Sequence, residues 1–261
     1  MNNVTKTAAL IAATLLAAPM ASAATLNLNS VTTGFHDNVD GDNVRFGSVG
    51  ERSRVSWGLD PDGGDLSRAD SSGYVMNTNV APDQVMDSVT FELGRFTHNN
   101  NVIHGGLLSG VQLDVNMDLS VDVDDSGNFV DLGEQTFTFD IAHNETPNQP
   151  TSGLCEPDGS DLGVGVNASG CADVVNIMGS VAGTSTIING FEFTLSILGF
   201  LDPDTDTFSS DFFSMELASN TRILIAEFTV ARVNEVPVPA AGLLLLGGLA
   251  GMGALRRRRR T

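Results

Sequence analysis

A stretch of thirteen residues near the middle of the chain alternates apolar and polar side chains without a break, which limits the folds open to this sequence. It runs from Val111 to Val123. Because successive side chains of a strand point to opposite faces, this period predicts a long β-strand with one buried face and one solvated face. The apolar positions are Val111, Leu113, Val115, Met117, Leu119, Val121 and Val123, and the polar positions are Gln112, Asp114, Asn116, Asp118, Ser120 and Asp122.

A second alternating segment follows this strand after a short polar connection. The connection, Asp125 to Asn128, has the composition of a turn. In the segment beyond it, Phe137, Phe139 and Ile141 alternate with polar residues. We therefore predict that the two segments form a long antiparallel hairpin.

Similar patterns elsewhere predict an all-β domain over residues 24–235. The last segment, Thr221 to Val233, includes Ile223, Leu224 and Ile225, so it is apolar on both faces and is predicted to lie centrally in its sheet. Many alternating strands separated by Gly, Asp and Asn turns are typical of a single antiparallel β-sandwich or jelly-roll-like domain. Other strands are predicted at Leu26–Asn29, Arg54–Trp57, Tyr74–Thr78, Val89–Leu93 and Phe191–Ile197.

Both ends of the chain carry targeting patterns. Residues 1–23 combine Lys6, a short apolar segment and the small-residue pattern Ala21-Ser22-Ala23, as in a secretory signal peptide. Residues 236–261 combine a proline motif, the apolar run Ala240–Leu255 and five arginines. As a helix this run is about 24 Å long, close to the ~30 Å core of a bilayer, and the positive-inside bias places the arginines in the cytoplasm. The key residues of this tail are Val236, Pro237, Val238, Pro239, Arg256, Arg257, Arg258, Arg259 and Arg260.

The charge of the domain between these ends excludes some partners. It contains all 32 acidic residues and seven arginines, with no lysine, for a net charge of −25. Such a surface repels nucleic acid and anionic lipid. A multivalent cation such as Ca²⁺ is a plausible cofactor, although acidity alone also keeps an exported protein soluble.

Several segments together resemble a known bacterial family. Val55-Ser56-Trp57-Gly58 is followed by Ser72-Gly73-Tyr74, and a strand then leads into Thr97, His98, Asn99 and Asn100. With the Val-Pro-Val-Pro-Ala tail, this arrangement resembles the THxN family of PEP-CTERM proteins of Gram-negative bacteria. The resemblance implies export through the Sec machinery and signal peptidase, transient anchoring in the inner membrane, and processing by an exosortase. It implies a final location at the cell surface or in the extracellular matrix, with extracellular polysaccharide as a candidate partner, and it implies no activity.

The Thr-His-x-Asn motif has two interpretations. Thr97 and Asn100 can hydrogen-bond a loop backbone while His98 packs against the sheet. Alternatively, His98 and His104 can form a metal-binding pair if the loop between them folds back.

The turn of the predicted hairpin is a candidate calcium site. Asp122, Asp124 and Ser126 occupy the first, third and fifth positions of an EF-type loop, but the twelfth position is Gly133, where a bidentate acid is needed. An ordinary hairpin turn is the competing interpretation. The candidate ligands are Asp122, Asp124, Asp125, Ser126 and Asn128.

The chain has two cysteines, Cys155 and Cys171. In an oxidising compartment we expect them to form a disulfide, which would stabilise the fold by roughly 3 kcal/mol in the chain-entropy model. The sequence contains no Gly-x-Ser-x-Gly nucleophile motif. We therefore favour a non-enzymatic structural, adhesion or binding module. The alternative is a secreted carbohydrate-active hydrolase or lectin, and an exposed Trp57 would favour that alternative.

The tail generates the first testable prediction. We expect mass spectrometry of the exported protein to show that the residues beyond about Val236–Ala240 have been removed. The reason is that an exosortase cleaves its substrates within this type of signal. Mature exported protein that still carries Arg256 to Arg260 would contradict this expectation.

Overall fold

Two antiparallel sheets pack face to face and enclose the core of the protein. The structure is a computed structural model, and it describes residues 24–50, 52–79, 81–146, 153–155, 160–178 and 182–233. The all-β prediction is confirmed, and the two-sheet arrangement fits a β-sandwich. The predicted signal peptide and sorting tail lie outside the described residues. Within the described residues, no helix is long and apolar enough to cross a membrane.

The first sheet has six strands. In spatial order they are β13, β9, β8, β7, β1 and β5. Their bounds are β1 Thr25–Asp40, β5 Gln84–Met86, β7 Leu108–Asp122, β8 Val130–Asn144, β9 Asp173–Ile177 and β13 Asp211–Ser214.

The second sheet has eight strands, or seven in an unbroken order plus a short strand at one side. The order is β10, β11, β14, β6, β4, β3 and β2, and β12 pairs with β11. The bounds are β2 Arg45–Val49, β3 Arg52–Trp57, β4 Ser72–Asn77, β6 Thr90–Asn100, β10 Ala182–Ile188, β11 Phe191–Asp202, β12 Thr207–Ser209 and β14 Ala218–Arg232, and a 3₁₀ turn spans Gly165–Asn167.

The predicted hairpin is confirmed as β7 and β8. Val111 pairs with Ile141, and Leu113 pairs with Phe139, so the apolar faces of both strands point into the core. The prediction for the last strand is also confirmed, because β14 lies between β11 and β6 in the middle of its sheet. Both strands of the hairpin are 15 residues long, and β8 carries His143 as its second-last residue.

The first strand is much longer than predicted. The sequence indicates a strand only at Leu26–Asn29, whereas β1 continues to Asp40. Its pairing with β7 shifts between Leu28 and Ser30 and again after His36. Each such bulge moves the following side chains to the other face, so the alternation is lost in the sequence although the strand continues.

Gly73 allows three strands of the second sheet to approach closely near the site. It pairs with Ser56 on β3 and with Asn99 on β6. A Cβ atom at this position would lie 2.5 Å from the carbonyl oxygen of Val55. The absence of a side chain at Gly73 therefore lets β3, β4 and β6 bring their aromatic residues and histidine together.

Candidate metal centre

The Thr-His-x-Asn motif forms the last four residues of β6 and faces both sides of its sheet. His98 and Asn100 are fully buried between the two sheets, whereas Thr97 and Asn99 point to the opposite face. His98 is held from both sides, because it pairs with Tyr74 on β4 and with Asn220 on β14. The motif histidine is therefore part of the sandwich interior and not of a loop.

Aromatic rings surround His98 in the interior of the sandwich. Its ring stacks on Trp57, with centroids 5.7 Å apart, and lies 5.0 Å from the ring of Tyr74. Both ring nitrogens are buried and lack a hydrogen bond within the described part of the chain. A buried polar atom without a partner costs about 1–3 kcal/mol, so two on one side chain require a physical reason such as an ion.

The facing sheet supplies a second histidine and a carboxylate. His143 lies on β8, and Asp173 is the first residue of β9. One nitrogen of each histidine and one oxygen of Asp173 all lie within 4.8 Å of one another. His143 Nε2 is 3.9 Å from Asp173 Oδ2, an oxygen that is itself buried and lacks a hydrogen bond in the described structure. Two sheets therefore direct three metal-ligand atoms at one small volume.

Two further carboxylates border this volume. Glu145 Oε2 accepts a hydrogen bond from His143 Nε2 at 2.9 Å. Glu216 Oε1 accepts one from the Asn100 side chain at 3.2 Å. On its other side, His143 Nδ1 accepts a hydrogen bond from the hydroxyl of Tyr74. With Asp173, three acidic side chains are thus enclosed in one interior region.

The pKa values show that this region holds more carboxylates than it can keep ionised. Burial and the charge of Glu145 raise the pKa of Asp173 to about 7, although His143 and Thr146 act in the opposite direction. Burial, Asp173 and Glu145 together raise the pKa of Glu216 to about 8. Burial, with a contribution from His143, lowers the pKa of His98 well below its ordinary value. His98 is therefore neutral near pH 7, as metal ligation requires.

A disulfide and a threonine fix the position of Asp173. Cys155 and Cys171 form a disulfide, and both are buried. The Thr146 backbone N–H donates to Asp173 Oδ1 at 2.8 Å, and its hydroxyl donates to the Cys171 carbonyl oxygen at 2.7 Å. These contacts occupy one oxygen of Asp173 and leave the other directed at the histidines.

The donor set fits a first-row transition metal. Zinc binds imidazole nitrogen and carboxylate oxygen at about 2.0–2.2 Å in tetrahedral sites, whereas calcium and magnesium prefer shells of oxygen only. His98, His143 and Asp173 would supply three ligands, and Glu145, which is hydrogen-bonded to His143, lies beside this group but is not part of it. With Nε2 of His143 on the ion, its Nδ1–H would donate to the Tyr74 hydroxyl oxygen, which is a common outer partner of a ligating histidine.

The structure does not bring His98 and His104 together. His104 is exposed, and its backbone pairs with Leu59 in an isolated bridge. It does not belong to the three-residue group of potential ligands found among the described residues. The partner of His98 is instead His143, which is 45 positions away in the chain and on the other sheet.

The geometry of the calcium candidate is that of a hairpin turn. Asp122 accepts hydrogen bonds from the backbone N–H groups of Ser126 at 3.1 Å and Gly127 at 2.6 Å. Burial disfavours its ionised form, but the bonds from Gly127, Ser126 and Asp124 lower its pKa overall. Asp124, Asp125 and Asn128 are exposed, and Ser126 accepts from Asn128. Because the oxygens of Asp122 are already occupied, this arrangement does not itself indicate a calcium ion.

Sequence comparisons assign no family to the chain. A scan against protein-family models found no matching family, and a search of curated proteins found no match. The resemblance to the THxN family of PEP-CTERM proteins therefore stays a prediction.

The raised pKa values of the buried carboxyls predict how stability changes with pH when metal is absent. Asp173 and Glu216 bind protons more tightly in the folded chain than in the unfolded chain. Their stabilising contribution is therefore complete below about pH 4 and is lost as the pH rises through about 7–8, with a slope of up to about 1.4 kcal/mol per pH unit for each group. We expect Glu216→Gln, in chelator-treated protein, to lose less stability than wild type between pH 5 and 8.

Urea unfolding at a series of pH values measures this difference. Glu134→Gln is the matched control, because Glu134 is exposed and the charge change is the same. Its profile should follow that of wild type. A Glu216→Gln profile parallel to wild type would show that Glu216 is ionised equally in both states.

Proposed function

We propose that this protein is an exported, non-enzymatic β-sandwich module that binds one transition-metal ion, zinc being the best fit, between its two sheets. His98, His143 and Asp173 are the proposed ligands. The observation that carries the proposal is the buried His98 ring, whose two nitrogens lack hydrogen-bond partners in the described structure while a second imidazole and a carboxylate face it.

The enclosure of the site favours a structural ion over a catalytic one. A catalytic zinc keeps a coordination position open to water and substrate. Here the three proposed ligands are buried, and the rings of Trp57 and Tyr74 lie against the two histidines. An ion at this point would join β6 of one sheet to β8 and β9 of the other. Its main effect would be to hold the two sheets together.

The position of Trp57 also bears on the alternative of a carbohydrate-active hydrolase or lectin. Enzymes and lectins that bind neutral sugars by stacking need exposed aromatic rings, and Trp57 is the only tryptophan of the chain. Trp57 is fully buried, with its ring 5.3 Å from that of His143. Its location supports a role in the interior, so we place the binding or structural module ahead of the enzyme.

The proposed location is the cell surface or the extracellular matrix of a Gram-negative bacterium. Residues 1–23 would direct the chain to the Sec machinery and signal peptidase. Residues 236–261 would anchor it in the inner membrane until an exosortase removes the tail. The buried disulfide supports this route, because disulfides persist in exported proteins and are rare in a reducing cytosol.

Zinc titration of the metal-free protein tests the proposed site. Binding to the folded state alone stabilises it by about 2.7 kcal/mol at one hundred times Kd, which raises Tm by about 5–10 °C for a domain of this size. Because Trp57 stacks on His98, its fluorescence should change in the same titration. We expect both responses with zinc and neither with calcium at equal concentration.

His98→Phe and His104→Ala form a matched pair of variants for this titration. Phenylalanine keeps a ring against Trp57 and removes two buried nitrogens without partners, so the metal-free variant should be at least as stable as wild type. It should lose the zinc response, whereas His104→Ala should retain it. A full zinc response in His98→Phe would refute the proposed site, and a larger response to calcium would point instead to the acidic turn at Asp122.

A further inference from the structure

A groove opens on the face of β6 opposite the candidate metal centre. Its volume is about 640 Å³, and its floor includes side chains from β3, β4, β6 and β14. Thr97 and Thr221 meet on this floor, where their hydroxyl oxygens are 2.9 Å apart. Its polar lining includes Arg52, Asn77, Arg95, Thr97, Thr221 and Arg222, and also the carboxylates of Asp202 and Asp204.

The groove contains a large share of the few basic residues of this acidic domain. Only seven arginines and no lysine lie between residues 24 and 235, and three of the seven line the groove. Elsewhere arginines serve the fold: Arg45, Arg54 and Arg68 donate to the carbonyl oxygens of Leu66, Arg68 and Phe46, respectively.

The three groove arginines differ in their contacts. Arg222 pairs with Asp202 at 2.9 Å. Arg52 and Arg95 are exposed, and neither forms a hydrogen bond or an ion pair within the described residues. Unpaired guanidinium groups in a concave site are well suited to bidentate recognition of a carboxylate.

Strand register places these two arginines on either side of Asn77. Asn77 pairs with Arg95 on β6, and the preceding residue, Met76, pairs with Ser53 on β3, next to Arg52. Two strand spacings, about 10 Å, therefore separate the backbones of Arg52 and Arg95. The two guanidinium groups can thus contact successive anionic groups of one extended ligand.

We propose that this groove binds a saccharide chain that carries carboxylate groups. Arg52 and Arg95 would bind the carboxylates, while Asn77, Thr97 and Thr221 would meet sugar hydroxyls. Phe213 and Met215 add apolar surface to the lining of the groove. A carboxylated saccharide carries fewer charges per unit length than double-stranded DNA, so the net charge of −25 on the domain opposes it less than it opposes the duplex.

The sheet floor favours a saccharide over an acidic peptide. Peptides commonly bind sheets by adding a strand at a free edge. The groove floor consists largely of β4, β6 and β14, which are interior strands with neighbours on both sides. Their backbone groups are already used in the sheet, so recognition has to come from side chains that suit hydroxyl and carboxylate groups.

Calorimetric titration of the full chain with polygalacturonate, at 0.15 M salt and without added divalent cations, tests the proposal. Binding should be detectable with polygalacturonate and absent with its fully methyl-esterified form. Arg95→Gln should weaken it by about tenfold or more, as expected for the loss of a charge-assisted contact. Arg232→Gln, the same charge change at an exposed position outside the groove, should change it less than twofold.

The same measurement can overturn the proposal in three ways. It fails if polygalacturonate does not bind to folded wild-type protein. It fails if Arg232→Gln weakens binding as much as Arg95→Gln, since only general charge attraction would then be present. It also fails if poly-L-glutamate binds equally well, because the groove would then bind carboxylate groups whether or not they belong to a saccharide. His98→Phe should bind polygalacturonate normally, which separates this inference from the metal site.

Discussion

The enclosure of three carboxylates with two imidazoles between the sheets is the constraint on which the rest of this structure depends. Burying an ionised carboxylate is costly unless a positive partner is close. Burial and the charges of neighbouring carboxylates raise the pKa values of Asp173 and Glu216, and the basic group that offsets this at Asp173 is His143, 3.9 Å away. A divalent cation held by His98, His143 and Asp173 would supply positive charge at this point and would bind one of the two unpartnered nitrogens of His98.

The architecture delivers these groups from both sheets to one point. The hairpin of β7 and β8 carries His143 from the six-stranded sheet, and the disulfide and Thr146 orient Asp173 beside it. The eight-stranded sheet contributes His98, with the Trp57 and Tyr74 rings packed against it. Because strand side chains alternate, the same four-residue motif also presents Thr97 to the groove on the outer face. One short segment thus serves two surfaces of the sheet.

Much of the fold follows from local sequence patterns, and part of the site does too. The hairpin and the central last strand were predictable because their alternation is regular. His143 was also within reach, since it continues the core-facing series Phe137, Phe139 and Ile141, where a histidine is unusual. Asp173 was not predictable, because the position of the five-residue strand β9 depends on its pairing with β8, some 30 positions earlier in the chain. No local pattern encodes such a long-range contact. The full length of β1 was missed for a different reason, because its bulges interrupt the alternation of apolar and polar residues.

X-ray absorption at the zinc edge of the zinc-loaded full chain tests the central claim most directly, because it reports the ligands of the ion itself. We expect a first shell of two imidazole nitrogens and one or two oxygen ligands at about 2.0–2.2 Å from zinc, and additional outer-shell scattering from the two imidazole rings. A shell of oxygen atoms without imidazole scattering would contradict it, since the ion would then be bound by surface carboxylates and the buried histidines would have another role.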